Sequence, residues 1–266
     1  MKKQKVKRMM SNELTIQQKQ GVGNAGTQIG VQNNYGLTMS DAVQMAFSIF
    51  KEYYPQLREE ALFEVRKMVN EKMYNVLEEN IVPPKPSIVV PTLQNASITE
   101  EHDLREMYAN IIATSMDKLV KNNVHPGFVE IVKQITSDEA KVLKLVSQKG
   151  SVPTLSLRYE MNDRGGVTVI RDFSDIGEVA GCENPENISE YFDNLERLGL
   201  IINAEGMSSF TDKSRYEPLK QHRFILPYAT EQKAKENGYD KTKFEESLVR
   251  ISSYGKKFCS VCIKDI

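Results

Sequence analysis

The stretch from Asn187 to Asn203 (NISEYFDNLERLGLIIN) constrains the fold most, because it holds a helix signal, a helix end and a strand signal in succession. Apolar residues at i, i+3, i+4, i+7 and i+10 predict one continuous helical face formed by Ile188, Tyr191, Phe192, Leu195 and Leu198. Gly199 stands where a left-handed C-cap is expected, and Leu200–Ile202 has strand character. A helix that enters a strand in this way is typical of the third helix of a winged-helix domain.

Bulk composition narrows the class of protein. The 266 residues can hold one or two domains, and 35 basic against 36 acidic residues leave no global field to recruit nucleic acid or anionic lipid. No apolar run approaches the roughly 18 residues of a membrane span, and the N-terminus lacks the apolar segment of a signal peptide. Three cysteines, Cys182, Cys259 and Cys262, do not make a disulfide framework. We therefore expect a cytoplasmic protein without a membrane span.

Residues 1–37 are predicted to be a flexible tail. Its first part, Met1–Gln20, is basic, with Glu13 as its one acidic residue. This charge fits either a solvated tail or a segment that contacts nucleic acid or an acidic lipid surface.

The second part of the tail, Gly21–Gly36 (GVGNAGTQIGVQNNYG), carries a candidate self-assembly segment. Its glycines and few apolar groups should prevent it from folding alone. In a stack of identical chains, however, its amides can form ladders while Ile29, Val31 and Tyr35 supply a dry face. The proposed assembly residues are Gln28, Ile29, Gly30, Val31, Gln32, Asn33, Asn34 and Tyr35.

This segment resembles the RIP homotypic interaction motif, the amyloid-forming core of necroptosis adaptors, which also has bacterial counterparts. The resemblance rests on Gln28-Ile29-Gly30 followed by Asn33-Asn34-Tyr35, with Thr27 where the motif usually has Ile or Val. It implies self-association into a homo-oligomer. The alternative interpretation is a flexible linker with a turn at Asn34-Tyr35-Gly36.

The fold class predicted for the chain is α+β and mainly α, with a helical N-terminal region followed by a winged-helix-like C-terminal domain. Residues 38–80 are predicted to form a helical hairpin, residues 99–136 a further helical region, and residues 137–266 the winged-helix-like domain. Between them, residues 81–98 contain Pro83, Pro84, Pro86 and Pro91, which predict an extended strap or an interdomain linker rather than a helix.

Local signals organise the C-terminal domain. Thr136 and Glu139 form a T-x-x-E capping box for its first helix, and Gly150 ends that helix. The remaining predicted elements are strands over Val152–Tyr159, Val167–Phe173 and Ser247–Ser252, helices over Ser174–Gly181, Pro185–Leu198 and Tyr254–Ile263, and a polar insertion over Glu205–Gly238.

A family resemblance rests on the stretches Leu104–Asn110 (LREMYAN), His125-Pro126, Thr136–Ala140 (TSDEA), Leu195–Ile202 (LERLGLII) and Tyr254–Cys259 (YGKKFC). From roughly Pro86 to Cys262 the chain resembles the Abi-alpha family, which is associated with abortive infection and phage defence. The resemblance implies a role in antiviral defence, and the family name carries no established chemistry.

Cys259 and Cys262 form a C-x-x-C pair that has two interpretations. Structural zinc normally needs four ligands, and the remaining candidates, Cys182 with His102, His125 and His222, supply no second close pair. On a terminal helix beside Phe258, the two thiols fit small buried hydrophobic groups. A redox or metal role is the alternative, and we predict no bound metal and no cofactor.

Asp138, Glu139 and Lys141 superficially match the D-E-x-K pattern of a nuclease. Two-metal nucleases hold such carboxylates around a cleft, whereas here they open a helix, where acids serve the cap and the helix dipole. The chain contains no phosphate-binding loop, no H-E-x-x-H and no G-x-S-x-G. We predict no catalytic residues.

DNA binding is opposed by the charge of the predicted third helix, which carries acids where a recognition helix would carry Arg and Lys. Candidate nucleic-acid contacts remain in the insertion: Lys213, Arg215, Lys220 and Arg223. We therefore predict a non-enzymatic component of antiphage defence that acts through self-association and contacts with an unidentified host or phage protein. The alternative is a nucleic-acid-binding winged-helix regulator.

Overall fold

The computed structural model describes residues 37–53, 59–162 and 164–263. The N-terminal half of this described chain is helical. Its helices are α1 (Met39–Tyr53), α2 (Glu59–Met73), α3 (Pro86–Ile98), α4 (His102–Met116) and α5 (Gly127–Val132). The interval between α2 and α3 passes through a 3₁₀ turn at Glu78–Asn80, and Ile81 then forms a bridge with Asp117 after α4.

The C-terminal half mixes helices with one antiparallel sheet. In chain order its elements are α6 (Ser137–Lys149), β1 (Ser151–Met161), β2 (Gly165–Phe173), α7 (Ile176–Val179), α8 (Ile188–Arg197), β3 (Ile201–Asn203), α9 (Glu217–Lys220), α10 (Glu231–Glu236), β4 (Lys241–Ile251) and α11 (Ser253–Cys262). The strands lie in the order β2-β1-β4-β3. The fold is α+β and dominated by helix, which confirms the predicted class at that level.

Pairing in the sheet is regular at its centre and irregular at one edge. The β1–β4 ladder runs without a register shift from Ser151 opposite Arg250 to Glu160 opposite Lys241. On the other side of β1, the pairing with β2 shifts register twice around Leu157. Such bulges bend an edge strand and interrupt its ladder, so the outer edge of β2 is a poor template for a further strand over this part.

Local sequence signals account for both ends of α6 and for the end of α8. The Thr136 hydroxyl accepts a hydrogen bond from the Glu139 backbone N–H, and the Glu139 carboxylate accepts one from the Thr136 N–H. Gly150 and Gly199 follow the two helices with φ of 77° and 72°, the left-handed region that glycine enters without steric cost. The predicted capping box and glycine end are therefore confirmed.

The helical half and the sheet-containing half share one apolar core. A single cluster of buried side chains extends from Ala42 in α1 to Cys262 in α11. Two contacts close it: the Asn110 side chain of α4 donates to the Cys262 carbonyl at 2.8 Å, and Phe128 of α5 stacks edge-on against Phe258 of α11 at 5.3 Å. This shared core fixes α4, α6 and α11 against one another.

The prediction of extended backbone over residues 81–98 is wrong for Pro86–Ile98, which form α3. Pro86 occupies the first turn, where its missing N–H has no helical partner to lose. Pro91 lies inside the helix and removes one hydrogen bond. Burial of Val89 and Leu93 in the core offsets that loss, because tertiary packing commonly overrides local propensity.

The insertion between β3 and β4 folds back against the sheet. Tyr216 is fully buried, and its hydroxyl donates to the Ser247 carbonyl at 2.7 Å and accepts from the Phe210 N–H at 2.9 Å. The Tyr159 hydroxyl of β1 donates to the Tyr228 carbonyl at 2.8 Å. These contacts fix the insertion against the sheet. The basic side chains predicted to bind nucleic acid lie in this insertion.

Candidate functional site

Asp138, at the start of α6, is the residue that fixes the loop leading into α8. One carboxylate oxygen accepts from the Glu183 N–H at 3.0 Å, and the other accepts from the Asn184 N–H at 3.1 Å and the Tyr191 hydroxyl at 3.0 Å. Lys141 Nζ lies 3.2 Å from the first oxygen. Burial alone would raise the pKa of Asp138, but these four donors lower it below its ordinary value.

A second set of contacts fixes the orientation of α8. The Asn194 side-chain amide donates to Glu139 Oε1 at 2.8 Å and to the Gln134 carbonyl at 2.9 Å. Beneath it the predicted apolar face is buried at Ile188, Tyr191, Phe192 and Leu195, and Leu198 is half-buried. The face predicted from helical spacing is confirmed, and the opposite face of α8 is held toward solvent.

That outward face is acidic. Glu190, Asp193 and Glu196 are exposed along it, and Glu186 is exposed in the turn just before α8. Asp193 pairs with Arg171, and Glu196 Oε1 accepts from the Asn203 N–H at 2.8 Å. Among the described residues, Glu186 and Glu190 have no ion-pair partner. A free negative face next to an ordered loop suits the binding of a positively charged group.

A cavity of about 470 Å³ lies beside this face, between the start of α6, the Glu183–Asn187 loop and the residue before α4. We call it the acidic cleft. It is lined by Glu101, Thr136, Ser137, Asp138, Glu139, Glu183, Asn184, Asn187, Glu190 and Tyr191. No lysine, arginine or histidine contributes to this lining among the residues the structure describes. Five carboxylates therefore converge on one cavity from positions far apart in the sequence.

Two of the predicted nucleic-acid-binding residues, Lys213 and Lys220, lie against carboxylates. Lys213 Nζ is 2.8 Å from Glu246, and Lys220 Nζ is 3.0 Å from Glu246 and 2.9 Å from Glu217. The hydrogen bonds that Lys220 donates to Glu217 and Glu246 raise the pKa of Lys220. Both lysines therefore contact Glu246 of β4, and the neighbouring carboxylates largely offset their positive charge.

The other two predicted residues, Arg215 and Arg223, form ion pairs with two different acidic residues. Arg215 Nε is 4.0 Å from Asp212, and its guanidinium sits 4.4 Å above the Phe210 ring centre. Arg223 is 2.8 Å from Glu178. The side chains of Arg215 and Arg223 are 53% and 72% exposed. The four cations therefore do not form one free basic patch.

The candidate self-assembly residues, Gln28–Tyr35, lie outside the described residues.

The C-x-x-C pair lies in the core. Cys259 and Cys262 are 5% and 0% exposed, and burial raises the pKa of the Cys259 thiol to about 11. Cys182 Sγ lies 3.6 Å from the Asp138 carbonyl, and burial raises the pKa of its thiol to about 11 as well. Thiols with such raised pKa values are weak nucleophiles at neutral pH.

The sequence did not predict the position of Glu101 in the acidic cleft or the burial of Asp172. Glu101 reaches the acidic cleft from the N-cap of α4, and no local pattern links it to Glu190. Asp172 is a buried non-glycine residue with φ of 50°, and its Oδ2 accepts from the Asn203 amide at 2.7 Å. Its one visible sequence signal is that Asp tolerates the left-handed region better than most residues.

No helix in the described part of the chain is both long and apolar enough to span a lipid bilayer.

Comparison with known proteins addresses identity directly. One solved structure, of an uncharacterized protein from the hydrocarbon-degrading marine bacterium Alcanivorax borkumensis SK2, is 22% identical to this chain. The match covers 52% of this chain and 92% of that one, with a TM-score of 0.36. No curated protein matches. The abortive infection alpha family model, in contrast, matches residues 57–262, from α2 to α11. Since that match takes in most of the sequence, the protein belongs to the abortive infection alpha family.

Proposed function

We propose that this protein is a non-enzymatic component of abortive-infection defence against phage, and that it acts through protein contacts. Membership of the abortive infection alpha family supports a role in abortive infection. The observation that carries the mode of action is the acidic cleft together with the exposed carboxylates of Glu186 and Glu190, a surface that complements a basic segment of a partner. The partner would be a host or phage protein that presents Lys or Arg side chains.

The non-enzymatic part of the proposal is supported by how the most nuclease-like carboxylates are used. Asp138 receives two backbone N–H groups, a tyrosine hydroxyl and a lysine. Glu139 completes a capping box and binds Asn194. Carboxylates engaged in this way serve to hold α6 and α8 in place, and they offer few free lone pairs to a metal or a water.

Two finer proposals concern architecture and assembly. We propose that α6, α7 and α8 with β1, β4 and β3 form a winged-helix-like unit in which the insertion occupies the place of the wing. This is supported by a helix, a turn and an amphipathic third helix that ends in a strand beside β4. We also propose that Gln28–Tyr35 mediate self-association into a homo-oligomer. We place the protein in the cytoplasm, because the reducing conditions there keep thiols such as its three free cysteines unpaired.

A plaque assay with charge-reversed protein tests the proposed mode of action. Glu183→Lys with Glu190→Lys reverses two charges of the acidic cleft at exposed positions, and protection against phage should be lost. The matched control is Glu205→Lys with Glu231→Lys, which makes the same net change at exposed positions outside the cleft. Both proteins should accumulate and melt like the wild type. Equal protection by the two double variants would contradict a role for the cleft.

The nucleic-acid-binding alternative predicts that the protein binds DNA in a salt-dependent way. A regulator that binds duplex DNA should be retained on it at low salt and released with a steep dependence on salt concentration. Because the four candidate cations lie against carboxylates and α8 is acidic, we expect little retention by the wild type near physiological salt. Submicromolar binding to duplex DNA at physiological salt would favour the alternative.

A further inference from the structure

A second cavity, of about 400 Å³, adjoins the acidic cleft where α3 ends and α4 begins. We call it the apolar cavity, because most of its walls come from the apolar side chains Ile98, Leu104, Tyr108, Val132 and Ile135. All of these are buried except Ile98, which is 67% exposed. The cavity therefore combines a buried apolar lining with one exposed apolar side chain that can contact a partner.

The apolar cavity and the acidic cleft are neighbours along one groove. Glu101 lines both of them. Ile135 of the apolar cavity is followed directly in the chain by Thr136 of the acidic cleft. A short segment of a partner that lies along this groove would contact both cavities at once.

Hydrogen bonds order the turn between α3 and α4, which forms one wall of this groove. The Thr99 N–H and hydroxyl both donate to the Asn95 carbonyl, at 3.1 Å and 2.9 Å. Arg105 Nε donates to the Thr99 carbonyl at 3.1 Å, and Nη2 donates to the Glu100 carbonyl at 2.7 Å. Arg105 also pairs with Glu64 and lines neither cavity. A wall that is already ordered lowers the entropic cost of binding a partner.

Charge is distributed unevenly along the groove. Among the described residues, the charged side chains that line the acidic cleft are all carboxylates. Three of these, Glu101, Glu183 and Glu190, are exposed and form no ion pair within the described part of the chain. The apolar cavity has Lys133 at its edge together with Glu100 and Glu101, so its charges are closer to balance. An occupant that complements the whole groove is apolar at one end and positively charged at the other.

We propose that the groove binds a protein segment in which a large aliphatic or aromatic side chain stands beside several Lys or Arg residues. The apolar side chain would enter the apolar cavity against Ile98, and the basic side chains would lie in the acidic cleft near Glu183 and Glu190. Apolar anchors in pockets commonly supply most of the binding energy of an interface, while complementary charges set specificity and orientation. This inference rests on the proposed function and adds to it the apolar anchor, which a purely basic partner does not need.

Selection from a random dodecapeptide library on the full-length wild-type chain tests the proposal without a prior choice of sequence. Enriched peptides should contain both a large apolar residue and a group of Lys or Arg residues. Fluorescence anisotropy then measures the affinity of the tightest peptide for the wild type. The same peptide with its large apolar residues replaced by serine should bind at least about tenfold more weakly. This comparison uses the wild-type protein, so it does not depend on a variant that could misfold.

The apolar cavity is then tested with Ile98→Ser, a change at an exposed position. It should weaken binding of the selected peptide about tenfold, because the peptide's apolar side chain loses its contact with Ile98. The matched control is Leu119→Ser, since Leu119 is 73% exposed and lines neither cavity. This control should bind the peptide like the wild type, and both variants should melt like the wild type.

Glu183→Lys with Glu190→Lys should weaken binding of the same peptide at least about tenfold. Binding that is lost on this charge reversal but is equal for Ile98→Ser and wild type would overturn the apolar anchor and leave the proposed function standing. Binding that is unchanged by the charge reversal would contradict both. Enriched peptides that lack either kind of residue, or no enrichment over an unrelated protein, would also overturn the inference.

Discussion

The Tyr191 hydroxyl of α8 donates a hydrogen bond to Asp138 Oδ2 of α6 at 3.0 Å, across 53 positions of the sequence. The same hydroxyl lies 3.0 Å from the Asn184 carbonyl, and the Asn184 N–H returns to Asp138. Three elements are therefore tied at one carboxylate: the first turn of α6, the loop after α7 and the buried face of α8. The acidic cleft exists because this tie holds Glu183 and Glu190 next to α6.

Removal of the Asp138 charge should destabilise the protein in a pH-dependent way. The folded-state pKa of Asp138 is lowered, so its contribution is present above the unfolded pKa of about 3.9 and is lost as pH falls through the folded pKa. Asp138→Asn should therefore lower the free energy of unfolding at neutral pH by about 1–3 kcal/mol, and by less in acid.

Urea unfolding at neutral and acidic pH measures this difference. Glu190→Gln is the control, because Glu190 is exposed and makes no ion pair among the described residues. A constant difference between Asp138→Asn and wild type across the acid range would show that the charge of Asp138 does not stabilise the fold.

Asp172 should behave in the opposite sense. Burial raises its pKa, so the ionised form costs stability, and the wild type should gain stability as pH falls from neutral through the folded-state pKa. Asp172→Asn keeps an acceptor for Asn203 and tolerates the positive φ, and it should raise the free energy of unfolding at neutral pH. Thermal melts at neutral and mildly acidic pH check this. A lower melting temperature for Asp172→Asn at neutral pH would contradict the cost assigned to the buried charge.

Leu195 should be more costly to truncate than Leu198, which follows α8 on the same apolar face. Its side chain is fully buried where α8 packs on α6, so Leu195→Ala should cost about 2–5 kcal/mol. Leu198 is half-buried, and Leu198→Ala should cost less. Chemical denaturation of the two variants measures the difference. Equal and small losses would mean that α8 does not pack by the face seen here.

The lysines of the insertion should bind DNA only when their acidic partner is removed. Burial alone would raise the pKa of Glu246, but Lys213 and Lys220 lower it below its ordinary value. Glu246→Gln should free Lys213 and leave Lys220 with Glu217 as its remaining acidic partner. Retention on duplex DNA at low salt should therefore increase, whereas Glu231→Gln, at an exposed position elsewhere in the insertion, should not increase it. Salt-gradient elution from immobilised duplex measures this. Unchanged retention of Glu246→Gln would show that these lysines do not reach DNA.

Replacement of Ile29-Gly30 by Ala-Ala tests the assembly segment. In a stacked core Ile29 would fill the dry interface, and Gly30 would permit close backbone approach. The double variant should abolish fibre formation by a Gly21–Gly36 peptide and phage protection by the full chain, with no change in melting temperature. Thioflavin binding and plaque counts check both. A flexible linker would tolerate the change, so full protection by the double variant would refute assembly as the role of this segment.

The sequence by itself determined the features whose causes lie within a few residues. The apolar spacing of α8, the Thr136–Glu139 capping box and the left-handed Gly199 follow from local geometry, and each is present in the structure. The sequence also determined that the C-terminal half contains both helices and strands. Apolar residues repeat about every 3.6 positions in a helix and every 2 positions in a strand, so the two kinds of element can be told apart locally.

Tertiary structure decided what local signals could not. Pro86–Ile98 is helical in spite of Pro91 because its apolar side chains enter a core built by distant helices. Glu101 joins Glu190 in one cavity, and Lys213 and Lys220 meet on Glu246, through contacts between residues far apart in sequence. Charge counts along the chain record how many cations and acids are present. Which of them neutralise one another depends on distances between side chains, and those are set only when the core brings the elements together.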